Sequence, residues 1–414
     1  MGSIRNSRRA FLAATGCLAA TAGCTGWILG SKPSFDELAA DAPVSVDWAH
    51  EEVEPNEESV ESRSMKNTAV QFQPRRVGDT IVFGTGERVV AVDPDDGSVR
   101  WRYVDEGFLT SRPVRHDGSL IVGGDRLTAL SERTGDVVWT VELDTDSSGR
   151  PRETGGIGAT TDSLFVGYQL PRGGDSLAEP GLVRVDADDR EIVDRYDELQ
   201  TVQAPPATDD EFAVAVDGNV NYATSRKAPP SVTAYDSGGH LYWRYEFEHP
   251  HTRIGPVLTS SRVFAASHGH GFDGGSVVAI DRESGDVEWR AERDIGPSTR
   301  TALSLTDDLV TFLDGENHLV ALERDTGDEV WTVDLAYYDV HDERHGSHRT
   351  VQTPVVDGDR GYCTVLGALF AIDLAAGEVE WAYADEETPF AGRPLADDER
   401  LFVPSGTSFF ALSV

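Results

Sequence analysis

One phrase recurs along this chain and leaves few folds open to it. An alternating apolar strand ends in an acidic or polar residue, a tight turn usually containing glycine follows, and a second strand carries tryptophan. The phrase runs from Val89-Val-Ala-Val-Asp93 to Trp101, from Leu127-Thr-Ala-Leu-Ser131 to Trp139, and from Val232-Thr-Ala-Tyr-Asp236 to Trp243. It returns from Val277 to Trp289, from Leu319 to Trp331 and from Leu369 to Trp381, and a degenerate copy, Leu182-Val-Arg-Val-Asp186 to Asp194-Arg-Tyr196, lacks the tryptophan. Where no degenerate copy intervenes, successive tryptophans stand 38, 46, 42 and 50 residues apart, the length of one four-stranded unit. Two further strand-like runs precede each phrase, such as Pro113-Val114 and Ser119-Leu-Ile-Val122. Each unit is therefore strands A and B followed by the phrase as C and D.

The two ends supply the last unit. Arg393-Pro-Leu-Ala396, Leu401-Phe-Val403 and Phe409-Phe-Ala-Leu-Ser413 match A, B and C without a D strand, and Val44-Ser-Val-Asp-Trp48 has the alternation and the tryptophan of a D strand. Joining them removes an exposed sheet edge and predicts an all-β fold, an eight-bladed β-propeller of four-stranded antiparallel blades closed by an N-terminal strand completing the C-terminal blade. Seven of the eight tryptophans then occupy equivalent slots, and Trp27 stands apart near the N-terminus. A large indole repeated once per blade reads as packing between blades, not as a ligand platform.

The pattern Ala-x-Asp-x-x-x-Gly-x-x-x-Trp resembles the repeat of PQQ-binding-like β-propellers over about Val44 to Val414. That superfamily holds quinoprotein alcohol dehydrogenases and a non-enzymatic propeller lipoprotein of bacterial outer-membrane assembly. The resemblance implies the fold and leaves two functions open: a non-catalytic binding scaffold, or a PQQ- or metal-dependent envelope oxidoreductase. The vicinal cysteine pair that contacts the quinone in such dehydrogenases has no counterpart here, because the three cysteines are Cys17, Cys24 and Cys363. The Cys-x-x-Cys-His haem motif and a matching calcium set are also missing, so no cofactor is expected, with PQQ or a divalent metal as the alternative. Cys363, in an apolar run, reads as a small buried hydrophobe.

Seventy-two acidic residues against 36 basic ones leave a formal charge of −36, and no basic stripe interrupts the acid, which argues against nucleic acid as a partner. All but three of the basic residues are arginine, Lys32, Lys66 and Lys227 being the exceptions. An acid-rich, lysine-poor surface suits a protein that works in concentrated salt, where like charges are screened within a few ångströms.

At the N-terminus, Ser7-Arg8-Arg9-Ala10-Phe11-Leu12 resembles a twin-arginine export motif, and Thr21-Ala22-Gly23-Cys24 resembles a lipobox whose cysteine is lipidated. The expected organisation is a signal over 1–23 with Arg8 and Arg9 as its address, an acidic tether over 24–43 beginning at lipidated Cys24, and the propeller over 44–414. An uncleaved anchor is the alternative, since Ala10 to Gly30 is uncharged. Either places the protein at the extracytoplasmic face of the cytoplasmic membrane. A second polar stretch, Glu51 to Arg63, reads as a surface loop.

The C–D turns are uniformly short, whereas the B–C loops and D–A connections vary in length, and in an up-and-down blade these two variable classes share one rim. Recognition belongs there, because variable loops on a rigid scaffold carry binding. Two groups of candidates fall on that rim. His268, His270, His341, His345 and His348, with nearby carboxylates, have residue types that bind a divalent metal, the plainer reading being solvated polar loops. Arg112, Arg253, Arg300, Arg349 and Arg393 precede A strands and form a candidate ring for an anion or other ligand at the axis, the plainer reading being ion pairs with the abundant carboxylates. The expected function is a monomeric, lipid-anchored scaffold that binds a protein or peptide partner, with no catalytic residue. A sugar or polyanion binder using the arginine ring is a further alternative.

Overall fold

The computed structural model of the chain describes residues 33–40, 42–51, 73–84, 87–105, 109–144, 154–168, 181–196, 198–199, 201–202, 204–218, 229–249, 252, 254–269, 274–295, 303–338, 354–365, 367–385, 390, 392–397, 399–405 and 408–414. Phe35–Val414 forms one compact unit.

That unit contains eight antiparallel four-stranded sheets. Blade 1 is Arg75–Val77, Thr80–Gly84, Arg88–Val92 and Val99–Val104, as strands A to D. Blades 2 to 7 follow over 114–142, 154–196, 207–246, 257–292, 304–334 and 355–383. Blade 8 takes A, B and C from Leu395–Asp397, Arg400–Ser405 and Ser408–Ser413, and its D strand from Ser45–Glu51. Most of the short A strands touch the A strand of a neighbouring blade, which places them around the axis. B and C strands are buried on both faces, as in Thr80–Gly84, because each lies between two neighbouring blades. D strands alternate between buried and exposed residues, as in Val99–Val104, because they form the outer wall.

The repeated phrase is explained by what joins one blade to the next. In most blades the phrase's alanine lies opposite its tryptophan, Ala91 with Trp101 and Ala279 with Trp289, and a bulge follows at once. The bulge swings the indole onto the next blade, where it covers the C–D turn. Trp101 donates its Nε1–H to the Glu132 carbonyl at 3.0 Å, Trp243 to Arg282 at 2.7 Å, Trp289 to Arg324 at 3.0 Å and Trp331 to Leu374 at 2.9 Å. The acidic residue that ends strand C holds the turn shut. Asp93 Oδ1 accepts the Asp95 N–H at 2.8 Å, and Asp281 Oδ1 accepts the N–H groups of Glu283 and Ser284.

The composite blade obeys the same rule. Trp48 pairs with Ala411, the bulge recurs between Val46 and Trp48, and the indole donates to the Pro94 carbonyl of blade 1 at 3.0 Å. Phe83 of blade 1 stacks on Phe409 of blade 8 at 4.3 Å, so the closure is packed as well as hydrogen-bonded. Trp381 of blade 7 is the informative exception. Blade 8 draws C and D from opposite ends of the chain and has no C–D turn to cover, and Trp381 Nε1 has no hydrogen-bond partner.

The degenerate third blade compensates for its lost tryptophan. Arg184 stands opposite Asp194, where the other blades carry alanine and tryptophan, and the two form an ion pair at 2.6 Å. Tyr196 then donates to the Gly239 carbonyl of blade 4 at 2.9 Å. On the incoming side, Arg190 adopts φ 62° where other turns use glycine, and its guanidinium lies 5.9 Å from the Trp139 ring. Tyr196→Phe is expected to destabilise the protein by about 1 kcal/mol in equilibrium unfolding, because the Gly239 carbonyl loses its donor. Unchanged stability would mean that the phenol contributes packing alone.

Part of the stretch read from the sequence as an acidic tether is folded. Phe35–Ala40 is a short helix whose Leu38 packs with Leu313, Leu319, Leu335, Tyr338, Val365 and Ala368. These residues lie near the B–C and D–A ends of blades 6 and 7, so the chain joins the propeller on that rim. No helix among the described residues is long and apolar enough to cross a membrane.

Candidate functional site

The axis side of the same rim holds an unusual group of side chains. Gln73, Arg112 and Arg393 each immediately precede a proline that leads into an A strand, in blades 1, 2 and 8. A residue before proline is held extended, which fixes the start of the strand at equivalent places in these three neighbouring blades. Arg112 donates through Nη1 to Gln73 Oε1 at 3.0 Å, and Arg393 Nη1 reaches the same oxygen at 3.4 Å. Arg393 Nη2 donates to Ser304 Oγ of blade 6 at 3.1 Å and to the Pro354 carbonyl, just before blade 7, at 3.3 Å. Side chains and backbone from five blades thus meet around two guanidinium groups that share one acceptor.

The acceptors are all neutral. No carboxylate among the described residues pairs with Arg112, Arg393 or Arg75, although other arginines nearby are paired: Arg76 with Asp397, and Arg115 with Glu132 at 2.8 Å. Among the described residues, then, ion pairing, the plainer reading of the arginines before the A strands, finds no carboxylate at Arg112 or Arg393. Burial pushes both guanidinium groups down to about 10, helped by the positive charge of Arg75 on Arg112 and of Arg112 on Arg393. Arg75 is lowered too, by burial and by Arg115. All three stay cationic at neutral pH. The Nε atoms of Arg112 and Arg393 are buried and have no partner. Chemically, the arrangement is a set of pre-oriented cationic donors.

Arg253, Arg300 and Arg349 lie outside the described residues, as do His270, His341, His345, His348, Arg8, Arg9, Cys24 and Trp27. His268 ends strand B of blade 5, is buried, and its Nδ1 lies 3.1 Å from the Gly269 carbonyl. Among the described residues no three His, Cys, Asp or Glu side chains gather as a metal set. Gln73 and Arg75 were missed by the sequence reading. The signal was available, since Gln73-Pro74 repeats the dipeptide arrangement of Arg112-Pro113 and Arg393-Pro394.

The described residues do not fit a quinone with calcium. The tryptophans are committed to packing between blades, and Cys363 is buried between blades 6 and 7 with its thiol pushed up to about 12 by burial. The three arginines would suit a carboxylated group, but no described carboxylate accompanies them as a calcium ligand. No chemical step is derived through such a cofactor.

Comparison with known proteins agrees with this architecture. The family described as outer membrane protein assembly factor BamB matches residues 39–123 and 123–413. Outer membrane protein assembly factor BamB of Yersinia pestis is 25% identical over 256 residues, and the match spans 60% of this chain and 60% of that relative. Among solved structures, BamB from Moraxella catarrhalis superposes with a TM-score of 0.64 at 16% identity, covering 90% of this chain and 98% of that one. The quinohemoprotein alcohol dehydrogenase ADHIIG from Pseudomonas putida HK5 gives 0.64 at 12% identity, covering 89% of this chain and 76% of its own. The computationally designed Ika8 protein gives 0.63 at 12% identity, covering 84% and 97%. At these identities the structural likenesses speak for the fold alone. The sequence match extends over almost the whole propeller, and the chain belongs to the outer membrane protein assembly factor BamB family.

Proposed function

We propose that the protein is a non-catalytic binding scaffold, held by a lipid on Cys24 at the outer face of the cytoplasmic membrane after export under the Arg8-Arg9 signal. It recognises a protein or peptide partner on the rim formed by its B–C and D–A connections. The observation that carries this reading is the contrast between the two rims. On one, short turns are tied by aspartate side chains and covered by indoles, as at Asp281 and Trp243. On the other, the connection from strand B to strand C runs from two residues in blade 2, between Gly123 and Arg126, to 13 in blade 3, between Tyr168 and Leu182, and Val104 and Tyr337 are exposed there. Rigid support beneath variable loops is the usual arrangement of a binding face.

The helix Phe35–Ala40 adds a positional argument. It brings the chain onto the propeller at the variable rim, and a fully extended segment from Cys24 to Phe35 spans at most about 40 Å. A lipid on Cys24 would keep that rim close to the bilayer, which favours a membrane-bound partner. The family match to an assembly factor supports a protein partner within an envelope machinery. The acidic, lysine-poor composition supports work in concentrated salt.

The test is affinity capture from solubilised membranes in high salt, comparing the intact chain with Val104→Arg and Tyr337→Arg on the variable rim and Glu283→Arg on the opposite rim. The expected result is a partner whose recovery falls at least tenfold, about 1.4 kcal/mol, with a rim variant and is unchanged by Glu283→Arg. Equal loss with Glu283→Arg, or no specific partner, would overturn the reading.

A further inference from the structure

We propose that Arg112 and Arg393 form a binding site for a small oxyanion, of the phosphate or dicarboxylate class, at the axis on the variable-loop side of the propeller. The inference goes beyond the scaffold reading and does not rest on it.

The geometry comes first. Two guanidinium groups meet on one Gln73 oxygen, at 3.0 and 3.4 Å, so their charges stand close together. Like charges at that separation repel, and burial removes the water that would screen them. The neighbours that the fold supplies are an amide, the Ser304 hydroxyl and the Pro354 carbonyl, which satisfy hydrogens without neutralising charge. This happens in a chain with two acidic residues for every basic one, where arginines elsewhere find carboxylates readily, as Arg262 does with Asp325 and Arg195 with Asp144. Among the described residues no carboxylate supplies a countercharge to this pair, and a negatively charged ligand would do so.

The donors point to the ligand's chemistry. Arg112 makes one hydrogen bond among the described residues, leaving its buried Nε free, and Arg393 Nε is likewise unpartnered. Arg112 makes no bond through Nε or Nη2 among the described residues, and that edge is a planar fork matched to two oxygens of one carboxylate or phosphate, whereas Arg393 Nη2 is already held by Ser304 and Pro354 and leaves only Nε. Both arginines are only partly open to solvent, which suits a small ion.

The test is isothermal titration of the full chain with inorganic phosphate and, separately, with succinate, at ionic strength fixed by potassium chloride. Saturable binding of at least one oxyanion is expected. Arg112→Met and Arg393→Met should each weaken it at least tenfold, whereas Arg115→Met, which removes an arginine already paired with Glu132, should leave it within twofold. Arg393 also ties Ser304 and Pro354 together, so Arg112→Met carries the test if the Arg393 variant does not fold. Saturation by only one of the two oxyanions supports the site and fixes its class. Absence of saturable binding by both, or unchanged affinity in Arg112→Met, would overturn it. Partner capture is a separate measurement, so loss of oxyanion binding and loss of the scaffold reading are distinguishable.

Discussion

Removing residues 1–51 is expected to open the ring and convert the protein into assemblies larger than those of the intact chain. The strand Ser45–Glu51 is the D strand of blade 8, and without it Ser408–Ser413 becomes a sheet edge carrying Phe409, Phe410, Ala411 and Leu412. An apolar edge of that kind pairs with other chains. The loss also removes Trp48, whose ring covers the blade 1 turn and whose N–H reaches Pro94. Truncating a fully buried tryptophan to alanine costs about 3–5 kcal/mol; Trp48 is half-buried, so Trp48→Ala should cost less than that and still lower the unfolding midpoint, and the deletion should do more. A synthetic peptide covering residues 44–51, added in excess, should restore part of the lost stability by pairing in trans. Size-exclusion chromatography and denaturant unfolding provide the readouts. A deletion variant that elutes and unfolds like the intact chain would show that blade 8 holds without its borrowed strand.

The same strand marks how far the sequence alone could go. Blade count, strand order and ring closure were legible because inter-blade packing imposes one repeated requirement, an acidic turn residue and a tryptophan on the strand that follows. A periodic requirement leaves a periodic trace. Even the exception at blade 3 was visible as a missing tryptophan. Its repair by the Arg184–Asp194 pair and by Tyr196 was not, because it depends on which residues face each other across a bulge. The helix at Phe35–Ala40 escaped notice because six residues give too little periodicity to stand out from an acidic, proline-punctuated stretch.

The axial site was half legible, for a related reason. Arginine before an A strand could be read from the chain, but whether it meets a carboxylate or a neutral group depends on residues in other blades. Gln73 is 320 positions from Arg393, and Ser304 is 89 positions from it. Nothing in the repeat records those meetings, since the axis is where blades differ. Abundant acid made ion pairing the plainer explanation, whereas the fold keeps the described acidic side chains away from these two guanidinium groups.

Gly285→Ala should be among the most damaging single methyl additions in the molecule, and the reason is the indole above it. Gly285 has φ +76°, a conformation that costs an alanine about 1–2 kcal/mol by itself. A Cβ there would also stand 2.7 Å from Trp243 Cγ and 2.8 Å from its Cβ. Those atoms sit next to the backbone and cannot swing aside as a side-chain tip would. Relief requires moving the indole, which is buried and holds the Arg282 carbonyl at 2.7 Å. Overpacking of this kind costs about 1–3 kcal/mol, and the hydrogen bond adds about 1 kcal/mol if it breaks. Gly358 is the internal reference: its φ is +58°, but a Cβ there meets nothing within 4 Å, so Gly358→Ala should show only the backbone cost. The expected difference between the two variants is about 2–4 kcal/mol in equilibrium unfolding. A double-mutant cycle with Trp243→Ala separates the causes. Trp243→Ala removes the contact with Cγ and keeps the one with Cβ, so the two substitutions together should destabilise by about 1 kcal/mol less than their sum. Equal costs at Gly285 and Gly358, or strict additivity in the cycle, would mean that the turn glycine is required for its backbone alone and that the tryptophan does not bear on it.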